Sequence, residues 1–287
     1  MRRLIFALAV IALALAALWA FGGLDSARAA IFAAQREFQT TLAEGVRALK
    51  AGAPGAALGL ISLGFVYGVL HAAGPGHGKA VLGAWAFSSR AALWRVAAIT
   101  LAASLAQATT AVVLVLGGAM LFDLGREALV GMAEGPVTRA GDLLIAALGA
   151  WLVWRGARGF WRMRTTDDHQ HDDSCGCGHD HAPHPDVAAR AGWGEALLLI
   201  GGVALRPCTG ALFVMLLTVM IGAPLVGIAA TYAIGLGTAL VTLAVALTSA
   251  TLRDGIAGVS ASRAAQLRAF GHGAELALGA LVIVLVI

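Results

Sequence analysis

Long apolar runs separated by short polar stretches set the pattern of this chain. The runs lie at 4–21, 56–73, 93–122, 140–160, 195–221, 224–250 and 273–287. A bilayer's hydrocarbon layer takes about 20 apolar residues of helix to cross. Six of the runs reach the spanning range, and 273–287 is only just long enough. The pattern predicts an all-α, polytopic membrane protein of six to seven transmembrane helices. The uncertainty in the count comes from the first run. Arg2 and Arg3 precede it, and Ala27-Arg28-Ala29 follows like a small-x-small cleavage site. Residues 1–30 therefore read as an N-terminal anchor or a signal segment. The long apolar core favours a retained anchor, and removal would leave six spans with the same topology.

Residues 31–52 are too polar to span. Ile31, Phe32, Phe38, Leu42, Val46 and Leu49 recur near helical spacing, with Arg36, Glu37, Glu44, Arg47 and Lys50 between them. This predicts an amphipathic helix on the outer membrane–water boundary over 31–55; a plain linker is the alternative. Beyond it, 56–163 forms a first three-helix half, 164–191 a polar loop and 192–287 a second three-helix half. The halves share a pattern. Gly68-Val69-Leu70-His71 then Pro75 resembles Gly202-Val203-Ala204-Leu205-Arg206 then Pro207. Each half opens on an apolar helix broken by Pro and Gly, one entering from each side, which predicts an inverted repeat with broken helices.

Charge fixes the orientation. Lys and Arg favour cytoplasmic loops. Arg2 and Arg3, Lys79 and Arg90, Arg155 to Arg164, and Arg253, Arg263 and Arg268 all fall on one side if seven spans alternate. Asp123, Glu127 and Glu134 fall on the other, and Trp151, Trp154 and Trp161 suit an interfacial belt. The N-terminus and the 164–191 loop are thus expected in the cytoplasm. Composition agrees: 13% charged residues and a mean hydropathy of +0.83 stand far from a soluble domain, where about a quarter of residues are charged. The net charge of +4 forms no basic stripe, so lipid, not nucleic acid, is the expected surroundings.

Candidate chemistry concentrates at the breaks. In His71-Ala72-Ala73-Gly74-Pro75-Gly76-His77-Gly78-Lys79, a continuous helix would point the two imidazoles apart. Pro removes a backbone donor and Gly permits unusual dihedrals. A bend there would bring both rings to one small volume, helped by freed carbonyls. Imidazole suits nickel, cobalt, zinc and copper better than magnesium or calcium. Cys208, after Pro207, is either a soft ligand or a small apolar residue. Arg206 should pair or face a cavity. Lys79 either snorkels to the surface or lines the path. Gln107, Thr231 and Tyr232 are further pathway candidates. Thr109, Thr110, Gly235, Gly237 and Thr238 fit helix packing.

The loop at 165–187 reads TTDDHQHDDSCGCGHDHAPHPDV. It cannot bury a core. His169, His171, Cys175, Cys177, His179, His181 and His184 form a metal-binding tract whose spacing is not that of a zinc finger. Labile binding at several sites, gathering ions at the cytoplasmic mouth, is expected; a polar linker is the alternative.

The segment His71 to Ala80, with Phe65-Val66-Tyr67-Gly68-Val69-Leu70 before it, resembles the signature of the nickel/cobalt efflux (NicO-type) transporters. Leu205-Arg206-Pro207-Cys208-Thr209-Gly210-Ala211-Leu212, Gly235-Leu236-Gly237-Thr238-Ala239 and the His-rich loop extend the resemblance over about 31–287. Thr209 stands where the family usually has Pro. Gly76 stands where the related high-affinity nickel permeases carry Asp, which separates the chain from those importers. The resemblance implies export of Ni2+ or Co2+ across a bacterial inner membrane, with His71 and His77 handling the ion and no cofactor.

Other classes fit less well. His-Glu-x-x-His and the Gly-x4-Gly-Lys-Ser/Thr phosphate loop are absent from the sequence, so neither a zinc protease nor an ATP-driven pump is indicated, and the chain reads as no enzyme. A secondary transporter driven by an ion gradient is expected, with imidazole exchanging metal for protons. Uptake instead of export, or a membrane-anchored metal sensor, are the alternatives.

Overall fold

The computed structural model describes residues 23–74, 77–88, 91–121, 126–165 and 193–258, together with 273, 276–280 and 282–283. Ten elements follow in order: α1 (Gly23–Lys50), α2 (Ala56–Ala73), α3 (His77–Ser88), α4 (Leu93–Leu121), α5 (Arg126–Met132), a π-helical turn (Ala133–Val137), α6 (Thr138–Thr165), α7 (Trp193–Ala204), α8 (Thr209–Met220) and α9 (Pro224–Gly258). No strand occurs among the described residues.

Among the described residues, four helical stretches are long and apolar enough to cross a bilayer: Ala56–Ala73, Leu93–Ala119, Glu127–Trp161 and Pro224–Leu252. The pair Gly194–Ala204 and Thr209–Met220, bent by 57°, makes a fifth if it is one broken span. The run at 195–221 is thus two short helices, and the stretch before 140 is helical through a π-turn instead of an open loop. Residues 4–21 and most of 273–287 lie outside the described residues. Leu58, Val113, Leu143, Leu225 and Leu240 stand on the outside of these helices, each more than half exposed. Large apolar side chains spread outward over all the long helices suit a lipid surrounding, and the chain is a multi-pass membrane protein.

Packing runs backbone to backbone where glycine permits. α2 lies against α9, and a Cβ on Gly68 would collide with the Ile234 carbonyl oxygen, as one on Gly237 would with that of Phe65. Such small-residue crossings bring helices together without a hydrophobic drive. Thr238 Oγ1 donates to the Gly68 carbonyl at 3.3 Å across the same contact. α7 packs on α4 and α6, and α4 on α9.

α1 turns back after the Gly52 and Gly55 positive-φ positions and runs antiparallel along α2. Gly45 meets Leu60, and Gln35 Nε2 donates to the Leu70 carbonyl at 3.4 Å. Leu42 and Val46 are buried in that seam, while Arg36, Glu37, Glu44 and Arg47 face outward. Two apolar cores result. One gathers Leu42, Leu60, Tyr67, Val115, Cys208 and Met215; the other gathers Leu82, Trp85, Val96, Ile145 and Leu199. The second is tied by a buried carboxylate. Glu195 on α7 accepts from Trp85 Nε1 on α3 (3.3 Å) and from Trp151 Nε1 and Arg155 Nη1 on α6 (2.8 Å each). A buried charge satisfied by three donors is a costly feature to lose.

Candidate metal-handling site between two helix breaks

α2 ends at Ala73, and Gly74 caps it with extended backbone. The next helix starts only at His77. In the other half α7 stops at Ala204 and α8 starts at Thr209. Pro207 cannot donate to a carbonyl one turn back, so helix hydrogen bonding lapses there. Cys208 takes the N-cap position of α8 with extended backbone (φ −69°, ψ 128°).

These two ends meet. The His71 imidazole, in the last turn of α2, lies beside the Cys208 sulfur, close enough for direct electrostatic interaction. Its ring stacks on Tyr67 one turn earlier, with centroids 5.9 Å apart and planes 22° apart. Tyr67 is almost wholly buried and receives a hydrogen bond from Gln39 Nε2 of α1 at 3.3 Å. Its phenol also lies beside Thr209 and Cys208. Gly210 is needed here because any Cβ would enter the Tyr67 ring. The result is a nitrogen and a sulfur donor side by side, one from each half, with a phenol behind them.

The electrostatics are mixed. The C-terminal end of α2 carries partial negative charge and favours a cation. The N-terminal end of α8 carries partial positive charge, so a cation beside Cys208 needs a negatively charged ligand there. A thiolate is such a ligand and is the form in which cysteine binds metal.

Two of the remaining pathway candidates, Arg206 and Gln107, meet at the second break. Arg206 pairs with Asp142 of α6 at 3.1 Å, both half-buried. Gln107 of α4 donates its amide to the Arg206 carbonyl, a group freed by the break. Tyr232 shares a hydrogen bond of 2.9 Å with Thr109. Thr231 is buried, and its hydroxyl has no hydrogen-bond partner among the described residues. Thr110 bonds its own helix at Ala106. The side chains of His77 and Lys79 lie outside the described residues. So do His169, His171, Cys175, Cys177, His179, His181 and His184. No three His, Cys, Asp or Glu side chains converge among the described residues.

Tyr67, Gln39 and Asp142 belong to this constellation and were not singled out from sequence. Tyr67 had a signal: it precedes His71 by four residues, one turn on the same face. Gln39 and Asp142 reach the site only through tertiary packing.

Residues 57–184 match the NicO family, described as high-affinity nickel-transport protein. A protein of Haemophilus influenzae, provisionally named a nickel/cobalt efflux system, is 31% identical over 232 residues, 72% of this chain and 70% of its own length. A protein of Methanocaldococcus jannaschii with the same provisional name is 30% identical over 186 residues, 63% of this chain and 72% of its own. No solved structure matches. With apolar membrane helices and a match of this extent, the chain belongs to the NicO family of nickel/cobalt transport proteins, a family of metal transporters and not of enzymes.

Proposed function

We propose that the chain is a secondary transporter that exports Ni2+ or Co2+ across the bacterial cytoplasmic membrane, with His71 and Cys208 holding the ion in transit and His77 completing the ligand set. The observation that carries this reading is the approach of the His71 ring to the Cys208 sulfur, because it joins the broken helices of the two halves at one place. Imidazole and thiolate together suit late first-row divalent ions. Half-helix ends at such a point are a recurring way to build a transporter's ion site.

The halves fit an inverted repeat. α2 packs on α9 as α7 packs on α4, and α4 and α9 pack on each other, the pattern that exchange of the halves would produce. Six or seven spans, with the N-terminus and the 164–191 loop in the cytoplasm, follow from the charge distribution. In that orientation the His-rich loop collects ions on the side from which they leave. An ion gradient drives the step, with imidazole trading metal for protons.

The family description, high-affinity nickel transport, favours a second reading, uptake. Radiolabelled nickel accumulation in cells with and without the protein separates the two. Export predicts lower accumulation with the protein, and His71→Ala restores it to the level of empty cells at equal membrane abundance. Higher accumulation with the protein means uptake. No change in either direction removes the transport reading.

A further inference from the structure

A cavity of about 200 Å³ has two neighbours of Tyr67, Gln39 and Thr209, in its wall. It is bounded by α1, α4, α5, the π-turn and α8, and its polar wall consists of Gln39, Thr209 and Glu134. Leu129, Leu212 and Phe213 form much of the rest. Of the three polar residues, Gln39 donates to the Tyr67 phenol and Thr209 lies beside it. The same phenol lies beside Cys208, and its ring stacks on His71. The inner wall is therefore one side chain away from the nitrogen–sulfur pair. The third polar residue, Glu134, is exposed and sits at the rim.

Local sequence explains why Glu134 is placed there. Pro136 lies inside the helix and cannot donate one turn back. The backbone widens into a π-turn over Ala133–Val137, and Thr138 Oγ1 takes up the Ala133 carbonyl at 2.7 Å. Single π-turns within helices are frequent at functional sites. The turn stands at the start of α6, whereas the His-rich segment follows the end of α6 some 28 residues on.

We propose that this cavity is a vestibule through which a partly hydrated divalent cation passes between the His71–Cys208 pair and the solvent at the start of α6, with the Glu134 carboxylate receiving the ion at the rim. The inference rests on the transport reading and holds for either direction of flux. The volume admits several waters. The donors also grade correctly: nitrogen and sulfur at the pair, then amide, hydroxyl and carboxylate oxygens, then water. Oxygen donors hold nickel and cobalt less selectively than nitrogen or sulfur, so the ion is bound progressively more loosely towards solvent.

The test is nickel flux at subsaturating metal in cells carrying Glu134→Asp, Glu134→Gln, Glu134→Lys or Glu127→Gln, each normalised to membrane abundance. A cleft lined by charge of one sign raises local counter-ion concentration by about tenfold or more; with one carboxylate at the rim the effect is smaller, so Glu134→Gln should lower flux by roughly threefold and Glu134→Lys by more. Glu134→Asp should keep most of the flux, and Glu127→Gln, outside the cavity, all of it. Should the Glu134 variants fail to reach the membrane, Val130→Trp fills the cavity without changing its charge and should block flux alone. Full flux in Glu134→Lys, or in Val130→Trp, overturns the vestibule while leaving the transporter intact. If the unaltered protein moves no nickel, the transport reading fails and the vestibule with it.

Discussion

At the scale of single residues, the site turns on which atoms sit beside His71. The sequence singled out His71, Cys208 and the two breaks, because Pro, Gly and His at a span end leave a visible mark. It did not carry Tyr67 as a partner, since a tyrosine in an apolar run reads as core, and Tyr67 is indeed almost fully buried. Only the fold shows that its phenol touches Thr209 and Cys208 while Gln39 donates to it. In the proposed role Cys208 is a ligand and Tyr67 a positioning residue. Cys208→Ser keeps the size but replaces soft sulfur with a hydroxyl that stays neutral at pH 7. Nickel and cobalt tolerance should fall steeply, with protein level unchanged on a membrane immunoblot. Tyr67→Phe removes only the phenolic oxygen. Loss of such an outer partner costs about 10- to 100-fold in metal affinity, so nickel binding by the purified protein should weaken by roughly tenfold or more. Unchanged tolerance in the first variant together with an unchanged binding isotherm in the second would sink the assignment of this pair.

Among the elements, the broken helices were legible and their surroundings less so. Pro207 and Gly74-Pro75-Gly76 announced the breaks. Apolar spacing made a helix from residue 31 legible, but not its start at Gly23 or its course along α2, because period alone gives a face and not the partner of that face. The α2–α9 crossing illustrates the same limit: Gly237 suggested close packing, and the coordinates name the carbonyl it meets and add Gly68 on the facing helix. A side chain at Gly68 or Gly237 would press on backbone, which no rotamer change relieves. Overpacking of this kind costs about 1–3 kcal/mol, and more where backbone must move. Gly68→Val and Gly237→Val should each lower the melting midpoint of the detergent-solubilised protein by several degrees or prevent its accumulation. Gly59→Ala, where nothing lies within 4 Å, should do neither. A stable Gly68→Val protein would mean that α2 and α9 stand further apart.

For the whole molecule, the decisive feature is that the proposed ion pair draws one residue from α2 and one from the α7–α8 break, and none from the segment between α6 and α7. The ends of α6 and α7 that flank that segment are already held together, by Arg155 and Trp151 on Glu195. α6 ends at Thr165 and α7 begins at Trp193, so a short polar linker joining them adds no strain. Replacing residues 165–187 by six Gly and Ser residues should therefore leave the bundle folded. In an exporter the His-rich tract raises the local supply of ions at the mouth, an effect that matters when metal is scarce and vanishes at saturation. The shortened protein should require more nickel for half-maximal flux yet reach the same maximal flux in membrane vesicles. A metal sensor anchored by its spans would behave in the opposite way, losing all response with the tract, and equal loss of maximal flux and affinity would place the essential ligands in the loop instead of at the helix breaks.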